Sequence, residues 1–428
     1  MRTLDSGAGD SQDTQGKCQL AENLPAIRDV QDMFHDMVKK LPELRDFIKK
    51  LGRPLRVATM CSGTESPLLA LDKIGVATER EYGAKLAVDH VFSCEIEPFK
   101  QAYIERNFAP PILFRDIREL DEDQATTAYG ALVDVPGYCD MLVAGTSCVD
   151  YSNLNNEQKT INEAGESGQT FRGMMTWVQK KQPPVVILEN VCGAPWEEIA
   201  LAFQAKGYAA HFMRVDTKRY YIPHTRTRVY LFATKVQPKP GMKAPPPGED
   251  VHVIVDDPNR KGKEMIRLPI KYREYFDYLQ ELSGEIKFDT SACGKGYIFD
   301  KKKGASGKLI QHWKDQVKAL ERPASSTLEA FLFDSDDPRV HKGRQMLARP
   351  GEDSTRAGTD WARCESRHQR ARIEEGLGAR RPFTNWEGGC TMPDYAWNDW
   401  GKAQTDRVLD LMDIDYLRLA QADTDSTH

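Results

Sequence analysis

Short apolar runs recur along the first half of the chain, alternating with stretches in which apolar residues return every three or four positions. The runs are Arg56 to Met60, His90 to Cys94, Ile112 to Phe114, Met141 to Ala144, Pro183 to Leu188, Ala209 to Val215 and Val229 to Thr234. The helical stretches between them are Leu68 to Gly75, Pro98 to Asn107, Thr170 to Lys180 and Trp196 to Ala205. Strands alternating with helices predict an α/β domain over 54–235. Upstream, Ile27, Val30, Phe34, Met37 and Val38 share one face, and Leu44, Phe47, Ile48 and Leu51 continue it after Pro42. Two short helices are expected in 21–53, with Asn23 as N-cap, Pro25 in the first turn and Gly52 as the stop. Residues 1–20 read as a disordered tail. After Lys235 a cluster of prolines marks a boundary. The region 236–428 is polar and irregular, and carries an amphipathic helical pattern from Thr405 to Leu419.

Composition changes the picture little. With 428 residues, 40% hydrophobic and 29% charged, the chain suits a globular protein of more than one domain. No apolar run approaches the roughly 18 residues that span a bilayer. Met1 to Gly16 has no apolar core, so no secretory signal is expected. The 9 cysteines are odd in number and irregularly spaced, with no C-x-x-C pair, which argues for a reducing compartment over a disulfide framework. Cys364, His368 and Cys390 lack an evident fourth ligand, so no metal site is expected. Net charge is −5, yet Arg339 to Arg381 holds eleven Lys/Arg against six Asp/Glu, and ten of the eleven are arginine. That suits phosphate and base-edge contacts as well as it suits a solvated charged helix.

Polar residues follow the apolar runs at revealing places. Cys148 stands a few residues after Met141–Ala144, past Gly145. A thiol there lies where open α/β sheets hold ligands, although most free cysteines are packing. Glu95 and Asp116 each leave a short run, as acids that bind a nucleoside do. Cys61-Ser62-Gly63-Thr64-Glu65 forms a small-residue turn between strand and helix. Glu189, with Asn190 and Val191, leaves the Pro183–Leu188 run. The polar segment Asn153 to Gln169 after Cys148 reads as a loop, and Arg226 and Arg228 enter the last run with the spacing that places them on one side of a strand.

In this order the elements resemble the cytosine-5 DNA methyltransferase family over roughly residues 54–235. The resemblance implies a mostly parallel, Rossmann-like sheet that binds S-adenosylmethionine, with a smaller target-recognition region across a cleft. It places the cofactor against Cys61, Ser62, Gly63, Thr64, Glu65, Glu95, Ile96, Asp116, Ile117 and Thr170. Cys148 falls on the family nucleophile, Glu189 on its acid, and Arg226 and Arg228 on its paired arginines; Ser147, Asn190 and Val191 fall beside the target base. The sequence departs from the family at Ser147-Cys148-Val149, where Pro-Cys-Gln is usual, at His224, where Gln is usual, and at Ser66, where Gly is common. The closing Gly-Asn-Ser segment is not found, so the chain is expected to stop part-way, to rely on a partner, or to be divergent.

The implied chemistry is methyl transfer to C5 of a cytosine flipped out of duplex DNA, leaving S-adenosylhomocysteine. Cys148 would add at C6, Glu189 would protonate N3, and Arg228 would hold the O2 side. Two other readings stay open: methylation of a cytosine in transfer RNA, and a module that binds cofactor or DNA without activity. An intracellular protein is expected, nuclear if eukaryotic and otherwise cytoplasmic, with no membrane contact. Oligomeric state is not legible.

Overall fold

In the computed structural model the described residues are 23–27, 29–151, 165–246, 253–256, 264–267, 270–284, 287–289, 298–300, 306–326 and 337–338. The chain divides into two compact units, Met1–Phe331 and Leu332–His428, and every element named here belongs to the first. The basic stretch 339–381, the amphipathic stretch Thr405 to Leu419 and the residues Cys364, His368 and Cys390 lie outside the described residues.

The elements are α1 (Val30–Lys39), α2 (Glu43–Leu51), β1 (Leu55–Met60), α3 (Ser66–Tyr82), β2 (Val88–Cys94), α4 (Pro98–Phe108), β3 (Leu113–Phe114), β4 (Gln124–Thr126), β5 (Leu132–Asp134) and β6 (Met141–Ala144). They continue with α5 (Glu166–Lys181), β7 (Val185–Asn190), α6 (Trp196–Ala205), β8 (Tyr208–Asp216) and β9 (Thr227–Lys235). Seven strands form one sheet in the order β3-β2-β1-β6-β7-β9-β8. Strands β3, β2, β1, β6 and β7 run parallel, and β9 runs antiparallel to both β7 and β8. The order reverses between β1 and β6, the switch point where a doubly wound sheet opens a crevice at its carboxyl edge.

Alternate residues of the central strands enter separate cores, as the two-residue period of a strand requires. Ala58 and Met60 of β1 with Leu142 and Ala144 of β6 pack under α5 and α6, against Met174, Trp177, Val178, Ile199 and Phe203. Val57 of β1, with Met141 and Val143 of β6, meets Ile48 and Leu51 of α2 and Leu68, Leu71 and Ile74 of α3. The sheet is therefore covered on both faces, which is why its parallel strands read as continuous apolar runs. The fold is the expected α/β class with a mostly parallel sheet.

Three boundaries differ from expectation. Helix α3 runs through Gly75 to Tyr82 and closes on Gly83 at φ 64°. Gly75 is a packing glycine: a Cβ there would lie 2.7 Å from the Leu86 carbonyl. Helix α1 is capped by Asp29, whose carboxylate accepts from the Asp32 amide at 2.8 Å, rather than by Asn23, which lies six residues upstream of the true cap. Helix α5 starts at Glu166 and takes in the end of the stretch read as loop.

Beyond 235, in the region read as irregular, the described residues include two regular helices, α7 (Arg273–Ser283) and α8 (Lys308–Ala319). Tyr275 of α7 is buried and donates its hydroxyl to the carbonyls of Gly207 and Val236, fixing α7 to β8 and to the end of β9. The buried Arg322 guanidinium donates to the Pro25 carbonyl and lies 5.2 Å from the Tyr221 ring centroid. It thus ties the approach to β9 to the N-terminal segment.

Candidate active site

The carboxyl ends of β1, β2, β3, β6 and β7 reach one edge of the sheet. Because β9 is antiparallel, its first residues reach the same edge: Asn190 pairs with Val229 and Glu189 with Tyr230. Topology alone therefore brings together Cys61, Glu95, Asp116, Cys148, Glu189 and Arg228, which are widely separated in sequence.

The turn after β6 is braced from several sides. Gly145 donates its amide to the Met60 carbonyl at 2.9 Å. A Cβ on Gly145 would lie 3.0 Å from the Cys61 carbonyl and 3.8 Å from Glu189 Oε2, so the backbone here threads between the cofactor-side turn and the acid. From β7, the buried Asn190 amide donates to the carbonyls of Thr146 (2.9 Å) and Ser147 (3.3 Å), the residues leading into Cys148. The Tyr151 amide donates back to the Cys148 carbonyl at 3.1 Å, closing a tight turn. The Cys148 thiol is half-buried.

Glu189 receives Arg228 Nε at 3.0 Å, and both side chains are about one-third exposed. A pair this exposed contributes roughly 0.2–1 kcal/mol, so its significance lies in orientation. Tyr230 faces the same group: burial raises its phenol pKa, the Glu189 carboxylate adds to the rise, and Arg226 and Arg228 oppose it. Arg226 is exposed, and its backbone is bound to Thr217. Tyr230 was legible by strand alternation from Arg226 and Arg228, yet sequence reading passed over it.

On the cofactor side, Glu95 is 3% exposed and accepts the amides of Gly63 (3.2 Å), Ile96 (3.0 Å) and Glu97 (3.2 Å). Beside it lies a cavity of about 300 Å³ lined by Ile96, Pro98, Gln101, Arg115, Asp116, Glu119 and Ala128. The Asp116 carboxylate is gripped by Arg118, with Nη2 at 2.6 Å, and this bond holds its pKa below the usual range. Arg118 also donates to Gln169 of α5 at 3.0 Å, a bridge that sequence reading did not anticipate.

Not every expected residue faces this cavity. Ile117 is buried in the core beneath α5. Glu65 sits at φ 55° and is fully buried, turned inward to accept from Thr59 (2.8 Å) and Ser93 (2.7 Å). Thr170 bonds the Glu166 and Ser167 carbonyls within its own helix. Among the described residues Ser62 Oγ is buried with no hydrogen-bond partner and Gly63 takes φ 67°, while Thr64 contacts Ser66. Val191 caps its own backbone on Asn190 Oδ1 and accepts from the Trp196 indole.

The thiols divide sharply. Burial, with the Glu95 carboxylate adding, pushes Cys61 up to about 12, and burial pushes Cys139 up to about 12. Cys94 is raised by burial as well. Among the described residues, Cys61 and Cys148 are half-buried, Cys94 and Cys139 are buried, and Cys192 is exposed.

A model of the C-5 cytosine-specific DNA methylase family matches residues 55–344. The chain belongs to this family. It is 49% identical over 413 residues to the DNA (cytosine-5-)-methyltransferase DMT5 of Cryptococcus neoformans var. grubii, covering 95% of this chain and 15% of that protein. It is 27% identical over 429 residues to the DMT5 of Verticillium dahliae, covering 87% of this chain and 16% of the relative. Type II methyltransferase M2.BsuMI of Bacillus subtilis matches at 25% over 42% of each chain. The chain thus spans 15% and 16% of the length of the two DMT5 relatives. Among the described residues of this methylase-family chain, no cluster of three His, Cys, Asp or Glu could hold a metal, and no helix is long and apolar enough to cross a membrane.

Proposed function

We propose that this chain carries the methyl-transfer site of a DNA (cytosine-5)-methyltransferase that uses S-adenosylmethionine and acts on a cytosine flipped out of duplex DNA. The observation that carries the reading is the convergence of a half-exposed thiol, Cys148, with the Glu189–Arg228 pair beside the Gly145 turn. Family membership and the similarity to the DMT5 DNA methyltransferases favour DNA as substrate.

Cytosine C5 is too weak a nucleophile to take a methyl group unaided. Addition of the Cys148 sulfur to C6 makes C5 enamine-like. The ring nitrogen N3 gains charge as the sulfur adds, and Glu189 is the group placed to deliver a proton there. After methyl transfer a base takes the proton left on C5, the C5–C6 double bond re-forms, and the C6–sulfur bond breaks to release Cys148. Arg228 orients the Glu189 carboxyl and faces the O2 side; Arg226 stands at the rim, suited to phosphate or a neighbouring base. Ser147, Asn190 and Val191 hold the walls around the base. A ring stacked inside a duplex cannot reach Cys148, which requires the flipped geometry.

The residues on the cofactor side fit an adenosine group. Glu95 is an anchored carboxylate of the kind that accepts a ribose diol, Ile96 offers an apolar wall, and Asp116 offers an acceptor at the cavity. Cys61 to Thr64 supply the close backbone approach. When bound, S-adenosylmethionine supplies an electrophilic methyl on its sulfonium. Glu65, Ile117 and Thr170 support this pocket from behind rather than line it.

The test is transfer of radiolabelled methyl from S-adenosylmethionine to a cytosine-containing duplex by the full-length protein, beside Cys148→Ser and beside transfer RNA. Transfer to DNA that vanishes in the variant is expected. Transfer to transfer RNA alone, or unchanged transfer by the variant, overturns the reading.

A further inference from the structure

Asp150, two residues after Cys148, is 5% exposed, and Ser167 is fully buried. The two residues bond reciprocally. The Ser167 amide donates to Asp150 Oδ2 at 2.7 Å, and the Asp150 amide donates to Ser167 Oγ at 3.0 Å. Ser167 is the second residue of α5, whose own N-cap position is Gly165 and supplies no side-chain bond. The carboxylate that satisfies this helix start therefore comes from the nucleophile turn. A buried carboxylate is costly unless hydrogen-bonded, and a helix N-terminus is a favourable place for it. Gly165 is shaped to this contact: a Cβ there would lie 2.3 Å from Asp150 Oδ2 and 2.6 Å from its Cγ.

We propose that Asp150 is a positioning residue for Cys148: by capping α5 from the turn, it fixes the carboxyl side of the nucleophile as Asn190 fixes the amino side. The inference rests on the reading of Cys148 as nucleophile, and assigns Asp150 no contact with substrate. The closed Cys148–Tyr151 turn transmits the constraint, since Asp150 is one of its two central residues. Without the cap, the thiol keeps its chemistry but loses its fixed approach to C6.

The test uses the full-length protein. Asp150→Ala is expected to lower kcat about thirty- to a hundredfold, the scale of a small misplacement of a reacting group, with KM for DNA and for S-adenosylmethionine within about twofold. Asp150→Asn keeps an oxygen for the Ser167 amide and should recover to within about fivefold of wild type, as a retained cap acceptor allows. Gly165→Ala should lower kcat in the wild-type background and have little further effect beside Asp150→Ala, because the atoms it strikes are gone. Amide exchange of residues 145–151 and of the first turn of α5 should quicken together in Asp150→Ala. An unchanged kcat in Asp150→Ala, an Asn variant no better than Ala, an equal Gly165→Ala effect in both backgrounds, or unchanged exchange each overturns the proposal. If wild type itself transfers no methyl group, the functional reading fails separately, and the exchange measurement still decides whether Asp150 holds the turn. Should Asp150→Ala not fold, the Asn and Gly165→Ala variants carry the test.

Discussion

Two turns leave adjacent parallel strands at the same edge of the sheet, and each carries a cysteine. The turn after β1 is closed: Cys61 and Glu65 adopt left-handed backbone angles, Glu65 is buried on Thr59 and Ser93, and the Cys61 thiol is pushed up to about 12. The turn after β6 is open at its tip: Cys148 is half-buried but the next residue, Val149, is 51% exposed, while the backbone on either side is held by Asn190 and Asp150. The same position in the fold therefore holds two half-buried thiols in different surroundings, Cys61 near the Glu95 carboxylate and Cys148 next to an exposed tip. Reactivity belongs to the surroundings of a cysteine, and a rigid frame around an exposed tip suits an attacking group better than a closed turn near a carboxylate does.

The largest expected difference lies between the two cysteines themselves. Cys148→Ser should lower kcat at least about a thousandfold, as loss of a nucleophile does. Cys61→Ala should leave kcat within about tenfold, because its role is backbone and packing. Equal losses in the two variants would erase the contrast.

Glu189→Gln comes next, with an expected fall of about a hundredfold or more in kcat, the scale of a lost proton donor. Arg228→Lys should fall less, since a point charge remains but the directed Nε contact does not. A pH–rate profile of both variants separates the proton role from orientation.

Gly145→Ala probes the contact between the turns. Its Cβ would press on the Cys61 carbonyl at 3.0 Å, so kcat is expected to fall about tenfold through misplacement. Thr59→Val tests the closed turn by removing a donor to Glu65. Leaving that carboxylate short of a partner should cost about 1–3 kcal/mol and be visible as a lower Tm.

The smallest effect is on pH. A thiol whose pKa in the folded protein exceeds its ordinary value of 9.0 favours the folded state at every pH below that value. Cys61 and Cys139, both pushed up to about 12, therefore lose this contribution as pH climbs from 9 toward 12, and stability should decline across that window. Alkylation at pH 8 followed by peptide mapping should mark Cys148 and Cys192 and spare Cys61, Cys94 and Cys139.

Much of this frame was legible in the sequence, and the exceptions share a cause. Strand β6 and helix α6 fall where the pattern put them, because local signals bound both: Asp140 and Gly145 around the one, Pro195 and Gly207 around the other. The halt expected at Gly75 failed because that glycine answers to the Leu86 carbonyl across a packing contact rather than to the helix end. The start of α5 was hidden because its cap, Asp150, is distant in sequence. The inward turn of Glu65 and the burial of Ile117 depend on backbone angle and tertiary packing, which residue type does not encode. The edge that gathers Cys148, Glu189 and Arg228 could be anticipated from strand ends; the bonds that brace it could not.

The most direct measurement is covalent trapping. The full-length protein is incubated with S-adenosylmethionine and a duplex carrying 5-fluorocytosine, which blocks release after methyl transfer, and the denaturant-resistant adduct is mapped by mass spectrometry. An adduct on the peptide holding Cys148, lost in Cys148→Ser, is the predicted result. No adduct, or one mapped to Cys61, Cys192 or another thiol, would contradict the assignment of Cys148 as the nucleophile.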